Sequence, residues 1–104
     1  MNIQDMQQNA APAMKLIKAM ANENRLMILC HLLEKELSVS ELNEQVLLSQ
    51  SALSQHLAWL RKDELVKTRK EAQTIYYSLS SDEAREVLRT LHGLYCREEE
   101  AEAA

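Results

Sequence analysis

Leu48-Ser49-Gln50-Ser51-Ala52-Leu53-Ser54-Gln55-His56-Leu57-Ala58-Trp59-Leu60-Arg61-Lys62 is the stretch that decides the fold. Ser49 is placed to cap a helix running to about Lys62, because its hydroxyl can accept from a free amide of the first turn. Leu53, Leu57 and Leu60 recur every three or four residues and form one apolar face. Ser51, Ser54, Gln55 and Ala58 form a second stripe, small and polar. Such a helix lies on a core with one side and offers the other side to a partner.

Upstream, Ser38-Val39-Ser40-Glu41 reads as a capping box that opens a short helix to about Val46. Only Leu47-Leu48-Ser49 separates the two helices, which is a helix-turn-helix arrangement. Before it, Asn22 can cap a helix whose Leu26, Leu29, Cys30 and Leu33 share a face, widened by Ile28 and Leu32. Pro12 suits a first helical turn, so another helix is expected from Ala11 or earlier to Met20. Residues 1–10 are expected to fray.

Downstream the period changes. Leu65–Arg69 and Thr74–Leu79 are rich in β-branched and aromatic residues, with Ile75, Tyr77 and Leu79 alternating onto one face. Lys70-Glu71-Ala72-Gln73 is expected as the hairpin tip. Ser80-Ser81-Asp82-Glu83 reads as a second capping box. It opens a last helix with Val87, Leu88, Leu91, Leu94 and Tyr95 on one side, ending near Cys96. The expected fold is mainly α with a β-hairpin wing, a winged helix-turn-helix in the order α-α-α-α-β-β-α. Residues 1–104 form one domain, with 97–104 as a second frayed end.

Composition agrees with one small helical domain. The 104 residues include one Gly, one Pro, no Phe, one Trp and three Tyr, which disfavours all-β architectures. No apolar run approaches the ~18 residues of a membrane span. The start, Met1-Asn2-Ile3-Gln4-Asp5, lacks the basic and apolar regions of a signal peptide, so a cytoplasmic location is expected. There the two cysteines would be thiols and not a structural staple.

The net charge of −4 argues mildly against nucleic acid, but its distribution does not. The last eight residues carry four Glu and one Arg, leaving the rest close to neutral. Residues 61–70 hold Arg61, Lys62, Lys67, Arg69 and Lys70 against Asp63 and Glu64, a local +3 patch able to grip phosphates. A DNA major groove admits one helix, and Ser and Gln side chains can bond base edges. Gln50, Ser51, Ser54 and Gln55 are therefore the expected readers, with Ser51 near phosphate at the helix N-terminus. His56 is expected as a phosphate contact or a packed residue, and Trp59 as core or interface. Arg69 and Lys70 of the wing are expected against flanking phosphates. The competing reading is an ordinary polar helix face beside a polar hairpin, in a helical interaction module that does not bind DNA. An enzyme is disfavoured: there is no Gly-rich phosphate loop and no nucleophile–base constellation beyond the cysteines.

Cys30 and Cys96 have two readings, since free Cys is often a small buried apolar residue but can also be a reactive thiol. Cys30 neighbours His31, yet adjacent helical residues point about 100° apart. Cys96 lies at a helix C-terminus close to four glutamates, which disfavours a thiolate. Cys30 is then expected as the first nucleophile and Cys96 as the resolving thiol. His92 and Cys96 share a helical face, and with Cys30 they could hold zinc or copper(I), a metal-responsive alternative.

Several stretches together resemble the ArsR/SmtB family of winged-helix regulators. These are Met20-Ala21-Asn22-Glu23-Asn24-Arg25-Leu26 with Ile28-Leu29, Leu48 through Leu57, Leu60-Arg61, Leu65-Val66, and Arg69 through Ile75-Tyr76-Tyr77-Ser78-Leu79. The resemblance covers nearly the whole chain. It implies a homodimer built from the first and last helices, bound to double-stranded DNA at an inverted-repeat operator. Cys30 and Cys96 match the positions of the family's dithiol group, which implies release from DNA when an oxidant or reactive sulfur links the two. The metal-sensing Cys-x-Cys is replaced by serines in Glu36-Leu37-Ser38-Val39-Ser40-Glu41. Asp82, Glu83 and His92 lack the spacing of the family's other zinc site. Neither metal nor cofactor is therefore expected. Glu64 stands where the family often has Gly, so a positive φ there would be strained.

Overall fold

The computed structural model describes residues 1–96, so the acidic segment 97–104 expected to fray lies outside it. The order is α1 (Ile3–Gln8), α2 (Ala10–Met20), α3 (Glu23–Glu34), β1 (Leu37–Ser38), α4 (Val39–Gln45), α5 (Gln50–Lys62), β2 (Val66–Glu71), β3 (Thr74–Leu79) and α6 (Asp82–Tyr95). This is the winged helix-turn-helix, with one more helix and one more strand than the sequence pattern marks.

The extra helix is α1, in the segment expected to fray. Asn2 caps it, its Oδ1 accepting from the amides of Gln4 at 2.9 Å and Asp5 at 3.4 Å. Asn9 ends it, and none of its residues is buried. Capping alone marks its bounds, so no apolar face could announce it. The extra strand is β1, two residues pairing antiparallel with β3 as Leu37↔Tyr77 and Ser38↔Tyr76. The sheet order is β1-β3-β2. A two-residue strand is too short to carry a period.

Ile28, Leu29 and Leu32 of α3 sit at the centre of the core, against Leu42 of α4, Leu53, Leu57 and Leu60 of α5, Leu79 of β3 and Ala84 and Leu88 of α6. Burying each such leucine contributes about 1.5–3 kcal/mol. This common core fixes α5 against the helices behind it and leaves its other face outward.

Ser38 and Glu41 form the expected capping box: Ser38 Oγ accepts from the Glu41 amide at 3.1 Å, and Glu41 Oε1 accepts from the Ser38 amide at 2.8 Å. The second expected box does not form. Ser81 is the N-cap of α6, accepting from the Ala84 amide at 3.0 Å, so the third helical position is an alanine. Ser80 is left outside the helix, and its hydroxyl donates to the Glu64 carbonyl at 2.9 Å.

The hairpin is longer than expected. Lys70 and Glu71 pair with Ile75 and Thr74, so the tip is only Ala72-Gln73. Ala72 takes φ 55° there, as tight hairpin turns demand of a tip residue. Glu64 takes φ 62° at the end of α5. Its amide donates to the Arg61 carbonyl at 3.0 Å and the Leu65 amide to the Leu60 carbonyl at 2.9 Å, a Schellman stop with a glutamate in the left-handed position.

Candidate functional site

The turn between α4 and α5 is held by Asn43, whose Nδ2 donates to the Leu48 carbonyl at 2.9 Å. Ser49 Oγ caps α5 by accepting from the Ala52 amide at 3.1 Å and lies 3.3 Å from Ser51 Oγ. Leu53, Leu57 and Leu60 face the core, so Gln50, Ser51, Ser54 and Gln55 are exposed on the opposite side. His56 is half-buried at the edge of that strip. The expected reading residues thus share one solvent-facing surface of a rigidly seated helix. Further along α5, Arg61 and Lys62 join Ser54, Ala58 and Tyr77 of β3 around an open cleft of about 460 Å³.

On the wing, Lys70 is exposed near the tip. Arg69 lies on the wing as expected and has partners within the chain. Its Nε donates to both carboxylate oxygens of Glu36, at 3.1 and 3.2 Å, and its Nη1 to Glu71 at 2.6 Å. Its guanidinium carbon also lies 4.6 Å from the centre of the Tyr76 ring. The two carboxylates push the Arg69 pKa up, and Arg69 holds the Glu36 carboxyl below its ordinary value. The wing arginine is already engaged by two carboxylates within the chain.

Cys30 of α3 and Cys96 at the end of α6 are both free thiols, each partly buried. They line one cavity of about 420 Å³ with Leu26, Leu33, Leu88, Leu91, His92 and Tyr95. Burial pushes the Cys30 thiol pKa up, and the proximity of Cys96 adds to the rise. This runs against Cys30 as the readier nucleophile, because only the thiolate attacks. Helix ends and sequence neighbours carry no sign of how far the Cys30 side of α3 is buried. His92 and Cys96 reach the same cavity as Cys30, but among the described residues no three His, Cys, Asp or Glu side chains come together to hold a metal.

Two features were missed by sequence reasoning. Arg25 is 5% exposed, and Trp59 of α5 stacks on it while its Nε1 donates to Asp63 at 3.0 Å. An Arg inside an otherwise helical apolar pattern is the only signal, and it does not name its partners. The second is Glu36, which lies in the α3–β1 connection and is remote in sequence from the wing it binds.

Apolar side chains also stand uncovered on α2 and α6. Met14 and Ile17 are exposed on α2, and Val87, Leu94 and Tyr95 on α6, the last two at 57% and 80%. The expected apolar stripe of the last helix therefore divides. Leu88 enters the core, Leu91 is half-buried at the cysteine cavity, and Val87, Leu94 and Tyr95 remain outside. Gly93 has open space around it, with nothing within 4 Å of an added Cβ. No helix among the described residues is long and apolar enough to cross a membrane.

The family described as bacterial regulatory protein, arsR family, matches residues 22–68. The chain is 63% identical over 97 residues to the transcriptional activator HlyU of Vibrio cholerae, covering 93% of this chain and 90% of that one. The structure of reduced HlyU from Vibrio cholerae superimposes with a TM-score of 0.84 at 63% identity, over 89% of this chain and 98% of that one. The transcriptional repressor BigR of Xylella fastidiosa superimposes with a TM-score of 0.87 at 35% identity, over 92% and 98%. With the helix-turn-helix, the wing and these likenesses together, the chain belongs to the ArsR family of DNA-binding transcriptional regulators.

Proposed function

We propose that this regulator is a repressor acting in the cytoplasm as a homodimer. In this reading it binds an inverted-repeat operator, and covalent linkage of Cys30 and Cys96 releases it. The observation that carries the switch is the shared cavity: two thiols on α3 and α6 open into one space. α3 packs on α5, and α6 packs on α3, so a bond between the two thiols acts on both the DNA-reading side and the outer side of the fold. The reduced state named for the HlyU structure fits a regulator whose thiol state matters.

Dimerisation is supported by the uncovered apolar residues of α2 and α6. A two-fold pair would set the recognition helices about one DNA turn apart, ~34 Å, and so read a palindrome. Gln50, Ser51, Ser54 and Gln55 would read bases, His56 would support them, and Lys70 would fix position along the backbone. Linking the cysteines would tilt the two α5 helices relative to each other and mismatch them to half-sites of fixed spacing.

Formation of a plain disulfide removes two protons and two electrons, which an oxidant must accept. A plain disulfide also needs Cα atoms ~4.4–6.8 Å apart. A polysulfide inducer can leave extra sulfur atoms between the two Sγ atoms and span a wider gap.

The test is operator release by Cys30→Ser and Cys96→Ser. Each variant should bind DNA as the wild type does and fail to release it under polysulfide. Release by Cys96→Ser but not by His92→Ala would replace the dithiol with a metal or single-thiol mechanism.

A further inference from the structure

The cleft between α5 and the wing takes in only Ser54 of the expected reading residues, and its lining is specific. Ser54, Ala58, Arg61 and Lys62 follow one another along a single face of α5, and Tyr77 of β3 closes the far side. The small side chain of Ala58 keeps the middle open. Arg61 and Lys62 are exposed, and among the described residues neither forms an ion pair. Asp63, the nearest acid in sequence, is instead engaged by Trp59 Nε1 at 3.0 Å and lies 4.0 Å from Lys15. Arg69 presents the opposite situation, with one cation set between the carboxylates of Glu36 and Glu71.

We propose that this cleft is a seat for one backbone phosphate of duplex DNA, held by Arg61 and Lys62 with the Tyr77 hydroxyl, and that Glu36 and Glu71 keep Arg69 out of phosphate contact. The inference rests on the DNA-binding reading and refines it. When a helix enters a major groove and a wing lies beside it, the strand between the grooves runs through the space between them. Ser54 stands at one end of the cleft, so the seated phosphate flanks the bases read by α5. A phosphate oxygen accepts from guanidinium, ammonium and phenol alike, and these contacts carry no sequence information. Arg69 becomes a strut: its bidentate pair with Glu36 joins the wing to the segment that follows α3.

The counterions released on binding count the phosphates neutralised, so the slope of log affinity against log salt reads whether the seat holds its phosphate. A random-sequence duplex is the probe, because the contact is sequence-independent. The double variant Arg61→Gln/Lys62→Gln should make the slope shallower by about 0.9, the value for one phosphate, and each single variant by part of that. Arg61→Lys should restore it. Tyr77→Phe should weaken binding at every salt concentration with the slope unchanged. Arg69→Gln should leave the slope unchanged, and Glu36→Gln should steepen it by releasing Arg69. Salt-dependent binding by the wild type, with an unaltered slope in Arg61→Gln and Lys62→Gln, overturns the seat while the regulator reading stands. A slope lost equally in Arg69→Gln overturns the division between the two places. Absence of salt-dependent duplex binding by the wild type overturns the seat together with the DNA-binding reading beneath it.

Discussion

The guanidinium carbon of Arg25 lies 3.3 Å from the centre of the Trp59 ring, joining α3 to α5 across the back of the recognition helix. The same side chain reaches a third element. Its Nε donates to the Ala19 carbonyl at 2.8 Å and its Nη2 to the Lys18 carbonyl at 3.2 Å, at the end of α2. The last carbonyls of a helix have no partner within it, and a cation there is doubly favourable. Arg25 therefore caps α2, supports α5 and sits five positions before Cys30 on α3.

Arg25→Met should lower stability by about 2–3 kcal/mol, because it removes two charged hydrogen bonds and takes the guanidinium donor from the buried Ala19 carbonyl, whereas the Lys18 carbonyl keeps the Ala21 amide. Trp59→Leu should cost less, about 1 kcal/mol beyond its lost area, since the stacking and an exposed Nε1 bond to Asp63 are removed while the carbonyl contacts of Arg25 survive. Urea unfolding of both variants checks the order. Equal losses would mean that the stacking, and not the cap, carries the joint.

Glu64→Gly should raise stability by about 0.5–1 kcal/mol. A left-handed residue with a side chain costs about 1–2 kcal/mol, and the added freedom of Gly in the unfolded chain returns part of that. The Schellman bonds at Arg61 and Leu60 use only backbone and survive the change. A lower thermal midpoint for Glu64→Gly would show that the glutamate side chain contributes something the backbone geometry does not explain.

The capping box should give a pH signature. Bonding to the Ser38 amide and hydroxyl holds the Glu41 carboxyl below its ordinary value. A carboxylate with a depressed folded-state pKa contributes stability above its unfolded pKa and loses it as pH falls through the folded one. Glu41→Gln should therefore flatten stability against pH on the acid side and leave the neutral-to-alkaline side parallel to the wild type. Ser38→Ala should cost about 1 kcal/mol at neutral pH. Parallel acid limbs for Glu41→Gln and the wild type would sink this assignment.

Legibility in the sequence followed burial. Leu53, Leu57 and Leu60 announced α5, because three leucines at helical spacing can only share a face, and that face is buried. Ser38 and Glu41 announced α4 through a bonding pattern that is local in sequence. The strip from Gln50 to Gln55 was legible as what the leucines leave outside. Ser80 and Ser81 were ambiguous because either hydroxyl can cap, and the contact that decides it comes from Glu64, sixteen positions away. The ion pair of Arg69 was hidden for the same reason: its partner Glu36 is thirty-three positions distant, and no local pattern could reveal that the wing cation has carboxylate partners within the chain. Charge partners set by tertiary contact are where sequence reading stops.

Ser54→Ala and Gln55→Ala should each lose preference for operator over random duplex, by about 1–3 kcal/mol where a bidentate base contact is removed. Both side chains are exposed and make no side-chain hydrogen bond among the described residues, so the fold should not change. Lys70→Ala should instead weaken operator and random duplex alike. Anisotropy titrations against both duplexes separate the two outcomes. A Gln55→Ala protein with unaltered preference would place the reading surface elsewhere on α5.

Cys30 should be the slower of the two thiols in its first reaction. Burial raises its pKa above the ordinary thiol value, and nearby Cys96 raises it further. Its thiolate fraction at pH 7 is then smaller than that of a free cysteine, whose pKa is about 8.5. The alkylation rate of Cys30 in Cys96→Ser should rise about tenfold per pH unit and continue rising past pH ~8.5. The linked stability has a definite sign. A raised folded-state pKa means that the thiol form stabilises the fold at low pH, and this is lost as pH rises through the folded value. Cys96 would then make the first attack on an inducer, and Cys30 would close the bond within the cavity. Mass spectrometry after brief iodoacetamide treatment of the wild type at pH 7 should find the label at Cys96 first. Label appearing first at Cys30, with its rate levelling off below pH 8, would mean that a base such as His31 or His92 activates it and that the order of attack is the reverse.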